Sequence, residues 1–318
     1  MAIEITITQK GATKKAMPLE VIIGDELRYG FSDGIRLEED MVGDNHFVAY
    51  NPNHIGRGIV VDWKEGETYK VHLRLPIPSH DAEIDDFFDL ATRIATYWKN
   101  CKIVKDRRKV MTVDDFVFQR SEIKEESLQT LSFICNQTKF DEAGNMSSGD
   151  AFDPSVPVQE GEICLQCARW PIVFGGKEKA LLADSTDSTK FKEFLHEKLA
   201  IDAYYGKAFF SQHMFTKELS AKYVIEEDNL SIFPLKPAVP WWMIDRRTGE
   251  TLEVVKWEIG LFSTTKDDML GIIPYDDFIT QFKNLKSTEY YDHQHVINPG
   301  MSLAQMQDFL TAGSGVVQ

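Results

Sequence analysis

Three observations in the 318-residue sequence predict an α+β fold, built as mainly antiparallel sheets with helices packed on one face in two successive halves. Segments with an apolar residue at every second position recur along the chain, the mark of strands with one wet face. Segments with helical spacing follow these strands in both halves rather than alternating one for one with them. Between the two sets, residues 137–161 shift to Gly, Ser, Asp and Pro and offer little to bury. The expected division is therefore an N-terminal domain at 1–140, a linker or exposed loop at 141–154 and a C-terminal domain at 155–318.

The N-terminal elements follow from their spacing. Ile3, Ile5 and Ile7 alternate with Glu4, Thr6 and Thr8, which ties the opening segment into a sheet. Strands are expected at Leu19 to Ile23, His46 to Tyr50 and Gly58 to Trp63, separated by Ser32-Asp33-Gly34 and Asn51-Pro52-Asn53. The clearest strand sets Tyr69, Val71, Leu73 and Leu75 against Lys70, His72 and Arg74. After the Pro76 to Ser79 break, Ile84, Phe87, Phe88, Ala91, Ile94, Ala95 and Trp98 fall on one helical face. Lys102 to Lys109 reads as a basic hairpin tip, and Ser121 to Asn136 as a second helix through Ile123, Leu128, Leu131 and Ile134.

In the second half, strands begin at Glu162. A helix is expected from Asp187 to Tyr205, buried through Phe191, Phe194, Leu195 and Leu199 and stopped by Gly206. Trp241 to Asp245 and Glu250 to Phe262 flank Arg246-Arg247-Thr248-Gly249 as the arms of a hairpin. A helix starts near Pro274, and a last one is marked by the capping pair Ser302 and Gln305 with Met301 and Met306 as its staple. The frame G-E-x6-R-x-P occurs at Gly66 and again at Gly161, a weak pointer to two similar halves.

Composition excludes several classes. Fifty acidic against 35 basic residues leave a net charge of −15, which repels a phosphate backbone, so no nucleic-acid partner is expected. No run of about 18 apolar residues occurs, and the first residues lack the pattern of a secretory signal; a cytosolic protein without membrane contact is expected. Four cysteines fit a reducing compartment without a structural disulfide. The phosphate-loop, dinucleotide, zincin, nucleophile-elbow and EF-hand motifs are all missing from the sequence.

The remaining candidates are few. His54, Gly56, Arg57 and Gly58 place an imidazole and a guanidinium among turn residues, where free backbone amides and a bidentate fork would suit a carboxylate or phosphate. The two glycines can equally serve a tight connection into the strand at Ile59. His293 and His295 would share one face of an extended segment, a geometry metals use, or else lie as polar residues on a sheet surface. Trp241 and Trp242 are adjacent, so in a strand one ring enters the core and the other faces outward, either as a partner-binding anchor or beneath the second layer of an α+β sandwich. Cys164 and Cys167 would point to opposite faces of a strand, one a core thiol and the other a surface or second-sheet thiol, so they cannot share an ion. No cofactor is expected.

The stretch NPNHIGRGI, followed by LRLPIPSHDAEIDDFFDLATRIATYW, resembles a bacterial family of about this length catalogued as a domain of unknown function. The resemblance implies a bacterial origin and carries no activity or site residue with it. By elimination, the sequence favours an acidic, non-catalytic protein-binding module of immunity or regulatory type that meets a basic protein partner. The alternative is an enzyme acting on a small anionic substrate, with or without a metal.

Overall fold

The computed structural model describes residues 2–66, 68–106, 109–136, 162–183, 186–216, 218–237, 253–284 and 289–313. They form an α+β fold in two compact units, the first holding the described residues up to Ile201 and the second those from Asp202 onward.

In the first unit the expected alternation builds an antiparallel sheet of eight strands: β1 (Ala2–Gln9), β2 (Arg28–Ser32), β3 (Leu37–Glu39), β4 (His46–Tyr50), β5 (Ile59–Asp62), β6 (Lys70–Pro76), β7 (Cys101–Lys105) and β8 (Lys109–Met111). Their spatial order is β3-β2-β4-β5-β6-β1-β7-β8. Ile3, Ile5 and Ile7 lie opposite Leu75, Leu73 and Val71, so the two best-patterned strands put their apolar rows side by side. That row is buried beneath α2 (Asp81–Trp98), whose Ile84, Phe87, Phe88, Ala91 and Ile94 are fully excluded from solvent. Leu19–Ile23, expected as a strand, is the short helix α1, bounded by Pro18 and by Gly24 at φ 61°. A five-residue apolar run carries no period, and Pro18 at the start favours the helix. The basic segment is the β7–β8 hairpin, with Lys105 opposite Lys109. After α3 (Val113–Val117), α4 (Arg120–Asn136) buries Ile123, Leu131 and Ile134 as its spacing requires.

The expected boundary between the halves differs from the division found. The proposed linker at 141–154 lies outside the described residues, yet β9 (Ile163–Leu165), β10 (Ile172–Phe174), α5 (Gly176–Ala183) and α6 (Thr189–Leu199) belong to the first unit. The physical reason is a second buried sheet face. Gly30 pairs with both Val48 and Glu39, and Arg28 with Tyr50, so these side chains share the face turned away from α2. Val48 and Tyr50 are nonetheless buried, because residues 162–201 cover them. Leu37 donates to the Arg169 carbonyl at 2.7 Å, and Ala168 donates to that of Gly56 at 2.9 Å. Helix α6 stops at Leu199 rather than Tyr205, since Tyr204 and Tyr205 are taken into a strand. The two copies of the G-E-x6-R-x-P frame run into unlike settings, a central strand of the large sheet and the two-stranded β9–β10 sheet.

The second unit contains two four-stranded sheets. One orders β11 (Tyr204–Tyr205), β14 (Ser231–Pro234), β18 (His295–Asn298) and β17 (Glu289–Tyr290); the other orders β12 (Phe209–Gln212), β13 (Leu219–Glu226), β15 (Val254–Ser263) and β16 (Asp268–Pro274). The pairs β11–β14 and β13–β15 are parallel and the rest antiparallel. Helix α7 (Tyr275–Lys283) buries Phe278 and Phe282, and α8 (Leu303–Gly313) follows the Ser302–Gln305 cap, with Met301 and Met306 in the same core. For the Arg246–Gly249 hairpin, the turn and the Trp241–Asp245 arm lie outside the described residues.

Because residues 162–201 complete the first unit, a fragment of residues 1–201 is expected to melt cooperatively, with dispersed amide resonances. A fragment of residues 1–140 leaves the Val48–Tyr50 face open and is expected to lack that transition. Cooperative melting of 1–140 alone would contradict the assignment.

Candidate functional site

The loop Asn51–Gly58 joins β4 to β5 and opens with a turn in which Asn51 Oδ1 accepts from the Asn53 amide at 3.0 Å. Its two glycines answer to packing. A Cβ on Gly56 would lie 2.6 Å from Glu83 Oε2, and one on Gly58, which has φ 82°, would lie 2.4 Å from Val48 Cγ1. The loop does receive an acidic group, as its residue types suggest, but the group is the chain's own. Glu83, in the first turn of α2, accepts from the Gly58 amide at 2.5 Å through Oε1. Burial raises the pKa of this carboxyl group, opposed by the Ser79 hydroxyl, the amides of Gly58 and Arg57, and the Arg57 charge.

Arg57 is only 3% exposed, so its guanidinium is no clamp for a solute arriving from water. Nε donates to the Gln166 carbonyl at 3.0 Å and Nη1 to the Pro78 carbonyl at 3.5 Å. Burial lowers its pKa, opposed by Cys167, Glu83 and Cys164, which lie around it. One side chain thus ties the β4–β5 loop, the start of α2 and the 162–201 cover together.

His54 sits at the outer end of the same cluster. Its Nε2 meets Asp86 Oδ2 at 2.6 Å, while Asp86 Oδ1 accepts from Asn51 at 3.3 Å. The ring stands edge-on to His80, with centroids 5.6 Å apart. His80 is fully buried and caps α2 through Nδ1, which accepts from the Glu83 amide at 3.2 Å. Its pKa is pushed down to about 3, chiefly by burial and then by His54. His196, which its helical projection leaves facing water, is half-buried and accepts from the Ile55 amide at 3.2 Å.

The other sequence candidates fall elsewhere. His293 is exposed and precedes β18, whereas His295 is 1% exposed, so the two imidazoles do not share a face. The backbone bends at 291–294, which removes the period-2 relation the sequence suggests. Both nitrogens of His295 are engaged, Nδ1 with Asp292 Oδ1 at 2.9 Å and Nε2 with the Tyr205 hydroxyl at 2.8 Å. This buried Asp–His–Tyr chain pins β11 and β18 together. Cys164 and Cys167 are both buried, which leaves out the surface position for either thiol, and β9 ends at Leu165, so alternation does not reach Cys167. Among the described residues, no group of three or more His, Cys, Asp or Glu is placed to hold a metal. Trp241 and Trp242 lie outside the described residues.

The β12–β13 hairpin carries Phe209, Met214 and Phe215 at 55%, 75% and 84% exposure. Its turn is closed by the His213 amide donating to the Glu218 carbonyl at 2.8 Å and the Thr216 amide to His213 Nδ1 at 3.3 Å. The available signal was a run of three Phe and one Met in Phe209 to Thr216 without Asp, Glu, Lys or Arg. It matches neither a helical nor a clean alternating pattern, which is why periodicity passes over it.

Residues 2–309 match the family described as Domain of unknown function (DUF4299), and the chain belongs to that family. No curated protein and no solved structure matches it. Among the described residues, no helix is long and apolar enough to cross a membrane.

His80 gives the cluster a pH signature. With a folded pKa near 3 against about 6.5 unfolded, the unfolded chain binds the extra proton, so stability falls as pH drops through that window. His80→Asn keeps an N-cap acceptor and removes the titration. Urea midpoints between pH 6 and 4 should show the wild type losing up to about 1.4 kcal/mol per pH unit more than the variant. Equal slopes would contradict the assignment.

Proposed function

We propose that the chain is a non-catalytic protein-binding module whose partner docks on the β12–β13 hairpin of the second unit. The observation that carries this reading is the exposure of Phe209, Met214 and Phe215 on one hairpin whose turn is held by its own hydrogen bonds. Large apolar side chains exposed along one hairpin are the usual anchors of a protein interface. Strand β12 also ends its sheet among the described residues, and Phe209 to Gln212 has neither a charge nor a proline to discourage another strand. A partner segment adding a strand beside β12, with apolar side chains over Phe209 and Phe215, fits both features.

The internal use of the charged groups agrees with a binding role. The Arg57–Glu83 cluster and the Asp292–His295–Tyr205 chain are spent on holding elements in place. The fifteen excess negative charges favour a second reading, attraction of a basic partner through charge. Salt separates the two, because apolar contacts persist where surface charge is screened.

Affinity capture from the native lysate should retain one protein on the intact chain at low and high salt. A Met214→Ser/Phe215→Ser double variant should lose it, with affinity reduced by about tenfold or more. Capture that survives the double substitution, or no partner at any salt, would contradict the hairpin reading. Capture that fades as salt rises and ignores the substitution would transfer the role to charge.

A further inference from the structure

A cavity of about 400 Å³ lies in the first unit, where the sheet face turned away from α2 meets the edge of its cover. Arg28, Tyr29, Glu39, Asp40 and Tyr50 come from the sheet side, Pro52 and Ile55 from the β4–β5 loop, and Arg169 and Ala200 from the covering segment. Its size is at the small end of ligand sites, and it joins apolar wall to convergent polar groups.

The polar groups divide into a set paired within the protein and a set open to solvent. Glu39 Oε1 accepts from the Tyr50 hydroxyl at 2.9 Å and faces Arg169 Nη2 at 3.5 Å. Arg169 is fixed further by the Leu199 carbonyl at 2.9 Å and by its position over the Trp170 ring. These three residues neutralise one another and stiffen the wall. Arg28 and Asp40 are different. Among the described residues, neither side chain has a hydrogen bond or ion pair, although both are charged and line the same concavity. They stand on neighbouring strand ends, since the Asp40 amide donates to the Tyr29 carbonyl at 3.0 Å and Arg28 pairs with Tyr50.

We infer that this cavity is a binding site for a small zwitterion of the α-amino acid or short-peptide class, its carboxylate on Arg28 and its ammonium group on Asp40. A simple anion would gain Arg28 and meet the Asp40 carboxylate, and a simple cation would meet the opposite conflict. Only a ligand carrying both charges satisfies both groups at once. Guanidinium and carboxylate present planar, charge-assisted partners for such a pair. The side chains of Ile55, Pro52 and Ala200 offer an apolar wall to the ligand's side chain. This site is independent of the hairpin in the second unit.

Calorimetric titration of the intact chain tests the assignment with four probes: L-leucine and glycylglycine as zwitterions, N-acetyl-L-leucine as carboxylate alone, and L-leucinamide as ammonium alone. At least one zwitterion should bind saturably, and each single-charge analogue of leucine at least about tenfold more weakly than leucine, the loss expected for one charge-assisted contact. Arg28→Ala and Asp40→Asn should each weaken the zwitterion by a similar factor. Arg28 is exposed, and asparagine tolerates the φ of 58° at position 40, so both variants should keep the wild-type melting temperature. Absence of saturable binding by both zwitterions, equal or tighter binding of N-acetyl-L-leucine, or unchanged affinity in Arg28→Ala would overturn the inference.

Discussion

A carboxylate removed from water must be given donors where it stands, and the first unit is organised around that requirement at Glu83. The side chain is 4% exposed and sits in the first turn of a helix whose other inward residues are apolar. Its Oε1 is met by the Gly58 amide, with Arg57 beside it, so the β4–β5 loop must approach the helix closely. That approach forbids a Cβ at Gly56. The same need places Arg57 inside the protein, where its own donors must find carbonyls. Two of those carbonyls belong to Pro78 and Gln166, 21 and 109 residues away in sequence. Burying one charge thereby fixes the join between the sheet, its main helix and the segment that covers the second sheet face.

That covering segment explains why the first unit extends to Ile201. A sheet buried on one side only can stop where the alternation stops. Here Val48 and Tyr50 face away from α2 and are still buried, so further chain must return to cover them. The cavity at Arg28 and Arg169 is the margin of that cover, where the layer ends before the sheet does.

Period was legible in the sequence wherever a single face decides burial. The isoleucines of β1, the Val71-Leu73-Leu75 row and the stripe of α2 all repeat at the spacing their elements need, and each ends in the core. The capping pair at Ser302 was readable because it depends on four consecutive residues. What escaped depends on contacts distant in sequence. The glycines around Arg57 mark a site that needs close backbone approach, but that Glu83 supplies the acidic group is visible only once the helix is docked. His295 looks like half of a metal pair until Tyr205, 90 residues earlier, occupies its second nitrogen. Leu19–Ile23 reads as a strand and folds as a helix because five apolar residues contain no period, and the hairpin at Met214 goes unmarked because a missing charge carries no period either.

The central claim is that Arg57 and Glu83 act as one buried unit, and a double-mutant cycle measures it most directly. Urea unfolding of Arg57→Met, Glu83→Gln and the double variant gives the coupling. A coupling of about 1 kcal/mol or more is expected, with Arg57→Met alone costing about 3–5 kcal/mol because it leaves the buried carboxylate without its counter-charge. Effects that add to within about 0.5 kcal/mol, or an Arg57→Met cost below about 0.5 kcal/mol as for a solvated turn residue, would contradict it.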